Sequence, residues 1–198
     1  MGSATIKEAA TLVFSTIGRD EAARRCIRSF RNLYPDTTIV VGDQNRQSRE
    51  MRSFYDEQRV DVVWLPSDCG LAHARNAAFE RVSTPYVILA DDDFVFTEAS
   101  DFAVALTIMD NETDLGVLGG RINDILAKQD GSTSMRLRRW EKFFAHIEGT
   151  KTLITIPIDY LPAKTRVIHN NTIYLCDMTA NWGIWRKKIF SSDIRWDN

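Results

Sequence analysis

Residues 86–96 read Tyr-Val-Ile-Leu-Ala-Asp-Asp-Asp-Phe-Val-Phe, and this stretch narrows the available folds more than any other. Tyr86 to Ala90 is apolar without alternation, the pattern of a strand buried on both faces. Such strands belong to sheets that helices cover on both sides. Three carboxylates, Asp91, Asp92 and Asp93, then arrive together at the strand's carboxyl end. Extended backbone would turn Asp91 and Asp93 to one side and Asp92 to the other. Like charges packed this closely raise the cost of ionising them all. A divalent cation held by oxygen ligands would relieve that cost, the more so if it also bridged a phosphorylated substrate. The alternative is a solvated acidic loop, but few such loops cap a buried strand in an α/β pattern.

The chain before this stretch repeats one unit. Thr11 to Ile17 reads as a strand ended by Gly18, and Asp20 is placed to cap the helix that follows. In that helix Ala22, Ala23, Cys26, Ile27, Phe30, Leu33 and Tyr34 recur at helical spacing, while Arg24, Arg25, Arg28 and Arg31 form the solvated face. Pro35-Asp36 ends it. Thr37 to Val41 forms a second strand and delivers Gly42-Asp43-Gln44-Asn45 at its carboxyl end. A polar helix over Ser48–Gln58 leads to a third strand, Val60–Leu65, and a loop to Gly70 precedes a helix over Leu71–Val82. Ala74, Ala77 and Ala78 make that helix slim on one side. Four strands alternating with three helices predict a parallel sheet with right-handed crossovers. Ligands bind such sheets beyond the carboxyl ends of the strands. Thr16 and Arg19, Asp43 and Asn45, and Asp91 to Asp93 all fall there.

The second half changes character. A helix is expected over Glu98–Met109 and a short strand over Leu115–Gly120, with a turn at Gly131-Ser132. In Met135–Phe144 the cations Arg136, Arg138, Arg139 and Lys142 interleave with Trp140, Phe143 and Phe144. A half-exposed hairpin is expected there, with an anionic acceptor or a membrane surface as the functional alternative. Thr150–Ile156 and Val167–Cys176 read as later strands, and Asn181–Phe190 as a helix. Without linker or repeat, residues 11–198 read as one domain behind a lead-in of residues 1–10, where Met1-Gly2-Ser3 resembles a tag remnant.

Composition excludes several classes. At 44% hydrophobic and 26% charged the chain has a globular balance, and a net charge of −2 gives no reason to propose nucleic acid as a partner. Cys26, Cys69 and Cys176 show no Cys-x-x-Cys spacing, so neither a disulfide framework nor a zinc site is indicated. His73, His146 and His169 lack metal-ligand spacing and read as structural. No apolar run approaches the ~20 residues that span a bilayer, and no signal peptide is visible. The expected location is cytoplasmic, with any membrane association through parts outside this chain.

Two further residues could carry chemistry. Arg75, in the first turn of its helix, could clamp a phosphate or a base, or form a salt bridge to a nearby aspartate. Asp43 could accept hydrogen bonds from a uracil N–H or ribose hydroxyls, or cap the turn before Asn45.

The run Gly70-Leu-Ala-His-Ala-Arg-Asn-Ala-Ala-Phe, followed by Pro85-Tyr-Val-Ile-Leu-Ala-Asp-Asp-Asp-Phe, resembles inverting family 2-like glycosyltransferases of the GT-A fold. It is most similar to the ganglioside N-acetylgalactosaminyltransferase branch, as are Thr11–Asn45 and Asp177-Met-Thr-Ala-Asn-Trp-Gly-Ile-Trp-Arg. The resemblance implies a Rossmann-like, mostly parallel α/β sheet flanked by helices. It implies a UDP-sugar donor carrying HexNAc or hexose, and a glycan, glycolipid or polysaccharide acceptor. Thr16, Arg19, Asp43, Arg75, Asp91 and Asp92 would hold the nucleotide-sugar, with Asp91 near the ribose and Asn181 near the donor sugar. Asp91 and Asp93 would be the ligands of a manganese or magnesium ion. The family's general base is expected shortly after Ile194–Asn198, where the chain stops, so the domain reads as cut short. Asp177, Asp193 and Asp197 are substitutes, and the base is left unassigned. A membrane-anchored eukaryotic enzyme of this kind would lie in the Golgi lumen. Two other readings compete: a non-catalytic nucleotide-sugar-binding domain, and a haloacid-dehalogenase-type phosphatase with Asp91 as nucleophile and Asp93 as acid/base.

Overall fold

A computed structural model describes residues 5–198 apart from 129, 138–141, 149–151, 158–163, 169, 180–181, 191–194 and 197–198. Of residues 142–148, 152–157 and 178 it describes the backbone alone. The chain packs as two compact units, Met1–Val117 with Ile184–Asn198, and Leu118–Gly183.

In chain order the first unit contains α1 (Ile6–Ala9), β1 (Ala10–Thr16), α2 (Asp20–Leu33), β2 (Thr38–Asp43), α3 (Arg49–Glu57), β3 (Val60–Trp64), α4 (Leu71–Glu80), β4 (Tyr86–Leu89) and α5 (Phe102–Asn111), and β5 (Val117–Leu118) falls at the boundary. The second unit contains β6 (Asn123–Ala127), β7 (Thr133–Leu137), β8 (Lys142–Glu148), β9 (Thr152–Pro157), β10 (Thr165–Ile168), β11 (Asn171–Tyr174) and β12 (Met178–Thr179), after which β13 (Gly183–Arg186) returns to the main sheet. That sheet has the order β3-β2-β1-β4-β13-β5. The β1–β2, β2–β3 and β1–β4 pairs are parallel, as the strand–helix alternation predicts.

The unalternating apolar runs take the centre. Every residue of β1 and β4 is buried, which only a sheet covered on both faces allows. Val13, Val40, Ala78, Val82 and Val87 form a core between the sheet and α4. The slim side of α4 lets the helix sit close: a Cβ on Gly42 would lie 2.6 Å from the Ala74 carbonyl oxygen. Elsewhere in the unit, Phe30 packs edge-on against Phe96 with centroids 5.1 Å apart, and Phe102 joins both.

Several expectations need correction. Arg19, not Asp20, is the cap residue of α2, and no side chain caps that end. Asp20 is the first helical residue, where its charge still suits the helix dipole. Arg31 is not on a solvated face. It is half-buried and donates to the carbonyls of Gln58 at 3.0 Å, Pro35 at 3.2 Å and Arg59 at 3.1 Å. The "polar" helix α3 buries Met51, Phe54 and Tyr55 on one face, with the Ser48 hydroxyl accepting from Met51 N–H at 3.0 Å.

Residues 183–186 are a strand rather than part of a helix, followed by a 3-10 turn at Lys187–Ile189. Gly183 makes the pairing feasible, because a Cβ there would lie 2.9 Å from the Leu118 carbonyl oxygen. Met135–Phe144 is not one hairpin but spans the end of one and the start of another. β6 pairs antiparallel with β7, whereas β8 pairs antiparallel with β9 and β12. Val167–Cys176 is likewise a hairpin, β10 with β11, turning through Asn170 at φ +63°.

Candidate active site

The parallel crossovers bring the carboxyl ends of β1, β2 and β4 to one edge of the sheet, and the polar residues expected there do converge. After β1, Gly18 takes φ +65°, a left-handed turn that a side chain would strain. That turn hands Arg19 to the start of α2, and Gly18 N–H donates to the Asn45 side-chain oxygen. After β4 the chain does not stay extended. Phe94 N–H donates to the Asp91 carbonyl at 3.2 Å, closing a turn over the three aspartates.

This turn overrides the alternation expected of Asp91–Asp93. Asp92 and Asp93 share one cation: Arg19 lies 3.3 Å from Asp92 and 2.7 Å from Asp93. Asp91 instead meets Arg75 at 2.7 Å. Arg75 lies in the second turn of α4, not the first, and the salt bridge foreseen as its alternative role is the one observed. Thr16 is buried and donates its hydroxyl to Asp92 at 2.8 Å. Burial pushes the Asp92 carboxyl above its ordinary pKa, while Thr16 and Arg19 pull it back. Below the turn, the Cys26 thiol faces the Asp91 carbonyl at 3.8 Å, and burial pushes that thiol's pKa up, so it packs rather than reacts.

Asp43 is fully buried, and both of its oxygens are engaged. One accepts from Asn45 N–H at 2.7 Å and the other from the Tyr55 hydroxyl at 2.8 Å. The turn-capping role is therefore the observed one. Burial raises the Asp43 pKa against the pull of these hydrogen bonds. A raised folded-state pKa gives stability that is complete below the unfolded value of 3.8 and is lost as pH rises through the folded one. Asp43→Asn removes that titration. Urea melts should show wild type losing stability relative to Asp43→Asn as pH is raised from 3.8 to neutrality; a pH-independent difference would contradict this.

Sequence reasoning missed Gln44, Tyr55 and Cys26 as supports of this edge. Gln44 is buried, and its side-chain oxygen accepts from Gly70 N–H at 3.1 Å, tying the start of α4 to β2. The Met51, Phe54, Tyr55 spacing in α3 was the signal that could have found Tyr55. Asn181, His146 as a side chain, and His169 lie outside the described residues. Of the carboxylates weighed as general base, Asp177 is exposed in the second unit, and Asp193 and Asp197 lie outside the described residues.

Electrostatics limits what this edge can hold. Three carboxylates, Asp91, Asp92 and Asp93, face two guanidiniums, so an approaching diphosphate meets net repulsion. Yet among the described residues Arg75 Nε and Asn45 Nδ2 are buried donors without an acceptor, and buried donors ordinarily find one. Among the described residues no three His, Cys, Asp or Glu converge as a metal cage. An all-oxygen set with the half-exposed Asp93 fits magnesium or manganese, which take one or two carboxylates and complete their shell with phosphate and water.

The sequence profile of Glycosyl transferase family 2 matches residues 11–172. The chain belongs to glycosyl transferase family 2. Its glycosyltransferase domain is 29% identical over 146 residues to beta-1,4 N-acetylgalactosaminyltransferase 2 of Mus musculus, a match covering 71% of this chain and 28% of that protein. Beta-1,4 N-acetylgalactosaminyltransferase 1 of Homo sapiens is 30% identical over 115 residues, covering 58% of this chain and 21% of the human protein. The chain thus spans less than a third of either relative. Among solved structures, S. aureus TarS 1-349 superposes with a TM-score of 0.52 at 14% identity, over 91% of this chain and 48% of that one. This likeness establishes the GT-A fold. Membership of the family displaces the phosphatase reading of Val87–Val95, whose strand here is the fourth of the parallel sheet.

Proposed function

We propose that this domain transfers a HexNAc or hexose unit from a UDP-sugar to a glycan or glycolipid acceptor, with inversion and with a divalent cation. The observation that carries this reading is the pairing of Arg19 and Arg75 with the Asp91–Asp93 turn at the carboxyl ends of β1 and β4. Two guanidiniums, that of Arg75 with a buried Nε lacking an acceptor among the described residues, and the buried Asn45 Nδ2 suit an anionic, hydrogen-bonding ligand. The N-acetylgalactosaminyltransferase relatives favour HexNAc as the sugar. A TarS domain of this fold has been solved in complex with UDP, which favours uridine.

In this reading Arg75 and Arg19 exchange part of their carboxylate pairing for diphosphate oxygens. Asp93, the most exposed of the three aspartates, would hold the metal together with Asp91. Thr16 and buried Asp92 hold Arg19 in place. When bound, the cation neutralises charge on the leaving diphosphate.

Thermal melts with UDP or GDP, each with manganese, magnesium or a chelator, test the donor side. UDP should raise the melting temperature only with metal, and more than GDP does. Equal protection by both nucleotides, or protection indifferent to metal, would sink the proposal. UDP release from UDP-HexNAc in the presence of acceptor glycans then separates a transferase from a binding domain.

A further inference from the structure

The hairpin of β6 and β7 is patterned inside out. Its register pairs Asn123 with Leu137, Ile125 with Met135 and Ala127 with Thr133, so these six side chains share one face. All six are exposed, including Ile125 at 57%, Met135 at 76% and Leu137 at 48%. The opposite face carries Asp124 and Ser134, both half-buried, the less exposed Leu126 at 39%, and the Asp124–Arg136 ion pair at 3.4 Å. A hairpin packed on a protein core turns its apolar residues inward, and slipping one strand by a single residue would exchange the faces. Here the turn holds the register: Lys128 N–H donates to the Ser132 carbonyl at 2.8 Å, and Gly131 takes φ +80°. Contiguous exposed apolar side chains of this kind mark an interaction surface.

Charge selects the occupant. Leu118–Gly183 contains nine Lys and Arg against six Asp and Glu, so it carries +3, and the rest of a chain with net charge −2 carries −5. Arg121, Lys128 and Arg136 are exposed on or beside the hairpin, and the sequence continues with Arg138-Arg139. The two acids are already engaged, Asp124 by Arg136 and Asp130 by the Ser132 hydroxyl at 2.6 Å. Contact between this positive unit and the same unit of a second copy would be repelled. Carbohydrate recognition needs placed polar groups and ring faces, which bare Ile, Met and Leu do not offer. Aliphatic side chains interleaved with cations match the boundary between acyl chains and anionic headgroups.

We propose that the β6–β7 hairpin docks this chain on an anionic lipid bilayer. Ile125, Met135 and Leu137 enter the acyl boundary, and Arg121 and Lys128, which flank the hairpin strand, meet headgroup phosphates. The proposal goes beyond the transferase reading. It also departs from the sequence expectation that membrane contact lies outside this chain.

Co-sedimentation of the whole chain with vesicles of phosphatidylcholine mixed with phosphatidylserine, and with phosphatidylcholine alone, tests it. The chain should pellet with the mixed vesicles, less so in high salt, and should not pellet with phosphatidylcholine alone. The variant Ile125→Ser/Met135→Ser/Leu137→Ser should bind mixed vesicles at least ~10-fold more weakly. Because all three residues are exposed, its melting temperature should be that of wild type. No binding to mixed vesicles, or equal binding by the variant, would overturn the proposal. Retention on immobilised polyglutamate without vesicle binding would assign the face to an acidic polymer and overturn it too. The UDP melt reports separately on the transferase reading, so either proposal can fail alone.

Discussion

Asp93→Ala is expected to weaken UDP binding in the presence of manganese by about 10–100-fold, the range seen when groups supporting a metal site are removed. Stability should hardly move. Asp93 and its partner Arg19 are each 50% exposed, and exposed ion pairs contribute about 0–1 kcal/mol. A chelator should reverse the sign of the effect. Without metal, Asp93 is one more negative charge facing the diphosphate, so the variant should bind UDP as well as wild type or better. Calorimetric titration of both proteins with manganese and with a chelator gives the four affinities needed. Equal affinities for wild type and variant with manganese would remove Asp93 from the metal site. A variant weakened to the same extent without metal would make Asp93 a direct nucleotide contact instead.

What could be read in advance follows from how local each determinant is. β1 and β4 were legible because unbroken apolar runs have few places to go, and their burial on both faces places them centrally. The convergence of Thr16, Arg19, Asp43 and Asp91–Asp93 was legible for the same reason, since parallel crossovers collect strand ends at one edge. The pairing inside that edge was not. Three consecutive aspartates do not declare whether the backbone remains extended, and the turn closed by Phe94 N–H decides which carboxylate meets which arginine. Arg31 was misread because two of its carbonyl partners, Gln58 and Arg59, lie just past α3, a long way off in sequence. β13 was misread as part of a helix because only neighbouring strands far away in sequence make Gly183–Arg186 extended.

Gly42 joins the fold to the site, and Gly42→Ala should disturb both. The new Cβ would lie 2.6 Å from the Ala74 carbonyl oxygen and 3.2 Å from its carbonyl carbon. Both are backbone atoms in the middle of α4, so no side chain can swing aside, and the helix itself must lift from β2. Overpacking of this kind costs about 1–3 kcal/mol, or roughly 3–10 °C in melting temperature for a chain of this size. The helix carries the groups that meet the nucleotide edge: Arg75 bonded to Asp91 at 2.7 Å, and Gly70 bonded to Gln44 at 3.1 Å. Lifting α4 pulls on both bonds, so UDP affinity should fall along with stability. A control separates the two effects. Phe102→Leu in α5 leaves α4 untouched but loses core contacts to Phe30 and Phe96, and it should lower the melting temperature without changing UDP affinity in the folded protein. Measured well below both melting temperatures, weakened binding by Gly42→Ala but not by Phe102→Leu would tie the nucleotide site to the close seating of α4 on β2. Wild-type affinity in Gly42→Ala would mean that the site tolerates a displaced helix, and that Arg75 does not set it.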